Sequence, residues 1–116
     1  MNILLTGGSG LLGREIRKLD DSIIAPDSEE MDVTDPNSVD ACISKYVPDI
    51  VLHAAAMTKP PIHETDPIPG VKVNIIGTAN MALACHRFNC RLVYTSTDYV
   101  YVGSGPHLED EALYSP

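Results

Sequence analysis

A glycine-rich turn near the amino terminus constrains this chain more than any other feature. Thr6-Gly7-Gly8-Ser9-Gly10-Leu11-Leu12-Gly13 reads GxxGxxG from Gly7 to Gly13 and lies directly between an apolar run, residues 2–6, and a stretch of helical periodicity. The run carries apolar side chains on both faces, as a strand inside a parallel sheet does. After the turn, Leu12, Ile16 and Leu19 recur at spacings of four and three, one apolar stripe on a helix over residues 10–19. In such a strand–turn–helix unit the free amides at the helix start hold a phosphate group. Gly7 permits the tight turn, Gly10 the close approach of phosphate and Gly13 the close packing of helix on strand. Gly7, Ser9, Gly10, Leu11, Leu12 and Gly13 are therefore the candidate pyrophosphate-binding residues. A triphosphatase-type phosphate loop is excluded, because Arg14-Glu15 stand where Lys and Ser or Thr are required.

The remaining chain continues the alternation of short apolar runs and helical stretches. Residues 22–25 read as a second strand ended by Pro26, and residues 31–33 as a very short third. Asp35-Pro36 is an N-cap followed by proline at the first helical position. Val39, Cys42, Ile43, Tyr46 and Val47 form the buried face of that helix, and Pro48 stops it. Residues 49–53 form another strand, leading into the small residues Ala54, Ala55 and Ala56. Prolines 60, 61, 67 and 69 mark a loop. From 71 to about 88 the pattern is helical, with Val73, Ile75, Ile76, Ala79, Met81, Leu83, Ala84 and Phe88 spread around most of the circumference, so cover on two sides is expected. Residues 91–95 give a last strand. This order implies an α/β fold, a doubly wound parallel sheet of about five strands with ligands bound beyond the strands' carboxyl ends.

Asp27 stands 20 residues after Gly7, where a carboxylate accepts hydrogen bonds from the ribose hydroxyls of a dinucleotide and repels a 2′-phosphate. With no arginine near it in sequence, the choice tilts toward NAD(H) over NADP(H); an ordinary surface aspartate is the alternative. Asp32 and Val33 either flank the adenine or simply end a strand before a turn.

Composition removes other classes. Sixteen acidic against eight basic residues leave a net charge of −8, which argues against nucleic acid or an anionic membrane as partner. The apolar run 3–5 is too short for a signal peptide or a membrane span, so a cytoplasmic location is expected. Cys42, Cys85 and Cys90 form no CxxC pair and lack histidines at metal-ligand spacing, so they read as reduced and structural. His63, His86 and His107 form no catalytic constellation.

TGGSGLLG at 6–13, MDVTDP at 31–36, PDIVLHAAAMT at 48–58 and STDYVY at 96–101, in this order, resemble the extended short-chain dehydrogenase/reductase family, and within it the dTDP-4-dehydrorhamnose reductase group of sugar-nucleotide reductases. The resemblance covers nearly the whole chain and implies one Rossmann-like NAD(P)-binding domain, residues 1–116, truncated before the carboxy-terminal strands and the substrate region. It implies that Ala54, Ala55 and Ala56, with Thr58 in the same motif, pass beside the cofactor, although ordinary packing at a crowded strand end accounts for the alanines equally well. Thr97 matches the hydroxyl residue that hydrogen-bonds the substrate carbonyl as hydride arrives, stabilising the developing oxyanion; Asp98 and Tyr99 match the segment that shapes the nucleotide-sugar pocket. Asn74 matches an asparagine that anchors the loop or a water, with a local backbone hydrogen bond as the alternative. The family's asparagine at the end of the strand 49–53 is His53 here, and in the following loop Pro61-Ile62 replace an acidic and basic pair.

The family's proton donor, a tyrosine in Tyr-x-x-x-Lys, has no counterpart within the 116 residues, and the position four beyond Tyr114 lies outside them. The resemblance therefore implies hydride transfer to a 4-keto-6-deoxy nucleotide sugar in a complete enzyme and no turnover by this chain alone. A second reading is a non-catalytic, NAD(P)-binding regulatory or interaction subunit, since the regulatory β subunit of methionine adenosyltransferase resembles the same family. The apolar helix after Gly70 would then favour self-association as a homo-oligomer.

Overall fold

The computed structural model describes residues 1–56 and 66–95. Among them, a parallel sheet of three strands, β1 (Ile3–Thr6), β2 (Ile50–His53) and β3 (Arg91–Tyr94), is ordered β1-β2-β3. Ile3 pairs with Ile50 and Ile50 with Arg91, in register through to Thr6, His53 and Tyr94. The connections are helical: α1 (Leu11–Leu19) follows β1, and α2 (Pro36–Tyr46) precedes β2. Before β3 runs a helix in three consecutive parts, α3 (Ile68–Gly70), a π-helical stretch (Val71–Gly77) and α4 (Thr78–Arg87).

The expected doubly wound parallel architecture is present, and two of the expected strands are reduced. At 22–25 only one bridge, Leu4 to Ile24, extends the sheet beyond β1, closed by Leu5 N–H to Ile24 O at 2.7 Å and Ile24 N–H to Ile3 O at 2.9 Å. The segment is pinched at both ends. Asp20 Oδ1 accepts from the Ser22 amide and hydroxyl, while Pro26 brings no N–H to the ladder. Residues 31–33 are not a strand. Asp32 Oδ1 takes the Thr34 amide and hydroxyl at 2.9 and 2.6 Å, which folds the chain into a turn, yet Met31 and Val33 still enter the core.

That core lies on one face of the sheet. Strand alternation sends Leu4 and Val51 to the same side, where they meet Val39, Cys42 and Ile43 of α2 and Met81, Ala84 and Cys85 of α4. Leu4, Val51, Val39, Ile43 and Met81 are fully buried, each contributing about 1.5–3 kcal/mol of transfer free energy. Burial also pushes the Cys42 thiol up and the Cys85 thiol, beside Cys90, up to about 12, so these thiols behave as packing groups.

Three expected burials do not hold. α1 lies on the Leu5 side of the sheet, where its Gly13 is buried, whereas Leu12 and Leu19 are 50% and 86% exposed. The stripe is present in the sequence, but only Ile16 of it is half-buried, and the close contact of the helix is between Gly13 and the backbone of Gly7 and Gly8. The helix before β3 is covered on one side only. Met81, Ala84 and Cys85 face inward, while Ile75, Ile76, Leu83 and Phe88 remain exposed. Val47 is exposed as well, because it is not helical.

Both ends of α2 follow from local chemistry. Asp35 Oδ1 accepts from the Asn37 amide at 3.0 Å, and Pro36 occupies the first position as expected. At the other end Val47 adopts φ 47°, ψ 58° and donates its N–H to Ile43 O, a left-handed cap that turns its side chain outward.

A buried polar chain binds the strand ends to the following helix. His53 and Thr6 are almost fully buried. Thr78 Oγ1 donates to Asn74 O at 2.7 Å, so it accepts from His53 Nε2–H at 3.1 Å. Nδ1 of the neutral ring then accepts the Thr6 hydroxyl proton at 2.7 Å, and Thr6 Oγ1 in turn accepts the Ala54 and Ala55 amides at 3.1 and 3.0 Å. Every polar group in the chain is satisfied in one tautomer only. A protonated ring would present an Nδ1–H to an oxygen already receiving two amides.

Two stability predictions follow from these features. Left-handed backbone costs a β-branched residue roughly 1–2 kcal/mol relative to glycine, partly offset by glycine's freedom in the unfolded chain, so Val47→Gly is expected to stabilise the fold by about 0.5–1 kcal/mol in a denaturant titration. Burial holds the His53 pKa below its ordinary value. The stability tied to its neutral form is complete above about pH 6.5 and is lost as pH falls toward the folded-state pKa. The thermal midpoint should therefore fall more steeply with acidification in the wild type than in His53→Asn, which has no proton to take up. Parallel profiles would contradict the assignment.

Candidate functional site

The carboxyl ends of β1 and β2 meet at the turn. Gly7 takes φ 73°, and a Cβ there would lie 2.8 Å from Ala54 C and Ala55 N, so only glycine lets the two backbones pass. Gly7 O accepts the Gly10 amide at 3.1 Å and Gly10 O accepts the Arg14 amide at 2.9 Å, which winds the turn directly into α1. The helix start has no side-chain cap, leaving its first amides for a ligand. A Cβ on Gly13 would fall 2.0 Å from Gly7 O and 2.7 Å from Gly8 Cα, a position no side chain can share. Around Gly10 the nearest obstruction is Gly7 O at 3.3 Å.

A cleft of about 400 Å3 opens above this turn. Its floor is residues 6–10, one wall is residues 54–56, and the other is residues 25–28 with 31–34; Val73 and Arg17 also line it. It therefore unites Gly7, Ser9, Gly10, Asp27, Asp32, Val33, Ala54, Ala55 and Ala56, which the sequence suggested from four separate places. Gly13 stands behind the turn and shapes it from there. Leu11 and Leu12 do not line the cleft. The Leu11 side chain is 87% exposed, so only the backbone of these two residues stands at the helix start. Thr58, Thr97, Asp98 and Tyr99 lie outside the described residues.

The acidic residues on the wall are fixed by the backbone they serve. Asp27 Oδ1 accepts from the Glu29 and Glu30 amides at 3.1 and 2.8 Å. Thr34, through its hydroxyl and amide, holds the Asp32 carboxyl below its usual range, so it is ionised at neutral pH. Val33 packs its side chain on Gly77, where a Cβ would approach within 2.8 Å, and its carbonyl accepts Asn80 Nδ2 at 2.9 Å. The wall is thus secured to the helix that follows the cleft.

Several contributors were not legible in the sequence. Thr6, at the end of β1, is the hydroxyl on which both strand-end amides converge, and a β-branched hydroxyl residue immediately before the glycines was the available signal. Thr34 reaches the cleft through the turn beside Asp32. Arg17 reaches it across ten residues of sequence, along α1. Its Nη1 donates to Gly8 O at 3.3 Å, and its stem lies over Gly8 beside Ala25. Arg17 and Asp27, ten residues apart in sequence, thus line one cleft. Among the described residues, no group of metal-ligating side chains gathers, and no helix is long and apolar enough to cross a membrane.

Comparison with known proteins agrees with this architecture. Residues 1–116 match the family model described as RmlD substrate binding domain. The chain is 36% identical over 113 residues to dTDP-4-dehydrorhamnose reductase of Streptomyces griseus, spanning 92% of this chain and 37% of that protein. It is 28% identical over 125 residues to methionine adenosyltransferase 2 subunit beta of Bos taurus, covering 98% and 37%. The crystal structure of dTDP-4-dehydrorhamnose reductase from Bacillus anthracis, in complex with NADP, superposes with a TM-score of 0.81 at 31% identity, over 90% of this chain and 39% of that one. The chain thus spans less than half the length of these relatives. Matched from its first residue to its last, it belongs to the RmlD family, whose members here include proteins named dTDP-4-dehydrorhamnose reductase.

Proposed function

We propose that this chain is the nicotinamide-dinucleotide-binding part of a sugar-nucleotide reductase. The observation that carries the reading is the single cleft at the strand ends, which joins the glycine turn, Asp27 and the three alanines. The site suits a dinucleotide. Gly7 in its floor and Gly13 behind it leave no volume for a Cβ, the helix start offers amides to a pyrophosphate, and the Asp27 carboxylate keeps Oδ2 for a ribose hydroxyl. Small side chains at Ala54, Ala55 and Ala56 leave room along the opposite wall. The relative solved with NADP supports the same class of ligand. The tilt toward NAD(H) loses its footing once Arg17 stands on the cleft wall.

In a complete enzyme, the bound dinucleotide would supply the hydride for reduction of a 4-keto-6-deoxy nucleotide sugar. The chain's own part is to orient it. The glycine turn fixes the pyrophosphate end, and the Thr6–His53–Thr78 chain holds that turn to β2 and the following helix. Thr97 is proposed to hydrogen-bond the substrate carbonyl, with Asp98 and Tyr99 at the sugar, by resemblance to the family. With no Tyr-x-x-x-Lys, these 116 residues are proposed to bind dinucleotide without turning over substrate. The protein is proposed to act in the cytoplasm, away from membranes and nucleic acid.

Calorimetric titration with NADH and NADPH tests the reading. Binding of a dinucleotide is expected at micromolar to millimolar levels, and Gly13→Ala should abolish it while destabilising the fold by about 1–3 kcal/mol through overpacking against Gly7. A wild-type chain that is folded and binds neither dinucleotide would overturn the assignment.

One observation favours a second reading, a regulatory or interaction subunit like methionine adenosyltransferase 2 subunit beta. Ile75, Ile76, Leu83 and Phe88 leave an apolar side of the helix before β3 open to contact. Light scattering over micromolar concentrations distinguishes the cases: self-association reversed by Ile75→Asp and Leu83→Asp supports the interaction surface, and a constant monomer mass contradicts it.

A further inference from the structure

His53 holds the cleft together in a way that depends on its protonation state. The ring is buried at the end of β2, and each of its nitrogens faces a threonine hydroxyl. Thr6 Oγ1, 2.7 Å from Nδ1, also receives the Ala54 and Ala55 amides at 3.1 and 3.0 Å. Thr6, Ala54 and Ala55 all line the cleft. On the other side of the ring, Thr78 Oγ1 lies 3.1 Å from Nε2 and donates to Asn74 O, next in sequence to the cleft-lining Val73. One ring thus ties the end of β1, the alanine wall and the helix to one another.

The Thr6 oxygen has two lone pairs and two amides to fill them, so its own proton must go to Nδ1. A second ring proton would set Nδ1–H against Oγ1–H, two donors with no acceptor between them. Either the hydroxyl turns and the two amides lose their acceptor, or the ring leaves Thr6 and Thr78 together. Both movements loosen the alanine segment where it passes the glycine turn, at the point where a Gly7 Cβ would lie 2.8 Å from Ala54 C and Ala55 N.

The charge would also stand without a counter-ion among the described residues. Of the elements packed on β2, β1 presents Thr6 to the ring, α4 presents Thr78, and β3 presents Tyr94, stacked with centroids 5.7 Å apart. Tyr94 is the titratable group among these three. Burial alone, with no carboxylate opposing it, keeps the His53 pKa below its ordinary value.

We propose that His53 is a positioning residue whose protonation opens this joint, so that the cleft holds a pyrophosphate-bridged dinucleotide while the ring is neutral and releases it as the ring takes up a proton. This rests on the dinucleotide reading of the cleft and adds the group through which pH acts on it. Affinity is complete above the His53 pKa of the free chain and is lost as pH falls through it. The coupling is reciprocal: bound dinucleotide holds the ring neutral and lowers its pKa further.

Calorimetric titration of the full chain with NAD+ and with ADP-ribose, from about pH 8 down through the His53 pKa, tests this, with the ring followed by its NMR resonances and the fold by far-ultraviolet circular dichroism. Neither ligand carries a phosphate monoester, so the pyrophosphate charge stays constant. Affinity is expected to fall about tenfold across the ring's titration, with saturating NAD+ lowering the His53 pKa correspondingly. His53→Asn, which turns an amide oxygen toward Thr6 and takes up no proton, should bind with a flat profile, and Thr6→Ser, which keeps the hydroxyl, should retain the fall. Where His53→Asn does not fold, the shift of the wild-type ring on ligand binding decides alone. If NAD+ or ADP-ribose binds but its affinity is unmoved through the His53 pKa, if the fall persists in His53→Asn, if bound ligand leaves the ring's pKa in place, or if the chain unfolds before the ring titrates, the role of His53 is overturned and the cleft reading stands. If neither ligand binds at any pH, both are overturned.

Discussion

Two backbones approach at the end of the sheet more closely than side chains allow, and the rest of the site is arranged around that approach. Gly7 passes against Ala54 and Ala55 with no volume for a Cβ, and the amides of those alanines are directed onto Thr6 Oγ1. One hydroxyl thus serves as the joint between β1 and the segment leaving β2. Behind it Gly13 presses on the Gly7 carbonyl, so the position of α1 is set by contact between main chains. Geometry of this kind is stiff. It gives the helix start a fixed aim, which is what recognition of a diphosphate needs.

His53 gives that joint its depth. Its two nitrogens face hydroxyls on opposite sides, and the direction of each hydrogen bond is dictated by the Thr78 bond to Asn74 O. A position that is asparagine in the resembled family is here filled by a larger, titratable ring that still spans both neighbours. The same residue stacks with Tyr94 across the β2–β3 pair, ring centroids 5.7 Å apart, so the polar chain also reaches β3.

How much of this the sequence disclosed depends on the range of the interaction responsible. The glycine turn and the Asp35-Pro36 cap were readable because their causes lie within a few residues, and both stand where expected. The two-sided burial of 71–88 and the buried stripe of α1 were not, because apolar periodicity states which face seeks cover and not what supplies it. The strand at 31–33 gave way to an aspartate bonding two residues ahead, a local competitor that outweighed the apolar residues Met31 and Val33 on either side of it. Arg17 was hidden for the opposite reason. Its relation to Asp27 exists only once α1 is folded back alongside the sheet, so a search along the sequence passes over it.

The π-helical stretch Val71–Gly77 carries a consequence for how this cleft wall tolerates change in chain length. A π turn accommodates one residue more than an α turn while the axis continues, so the stretch behaves as an insertion absorbed without a break. Removing one residue from it would restore ordinary winding and leave the parts on either side nearly in phase with Met81 and Ala84. The chain entering from Pro67 would then keep close to its present direction. A change of one residue in this short segment is taken up by the winding, and the bearing of that wall is kept.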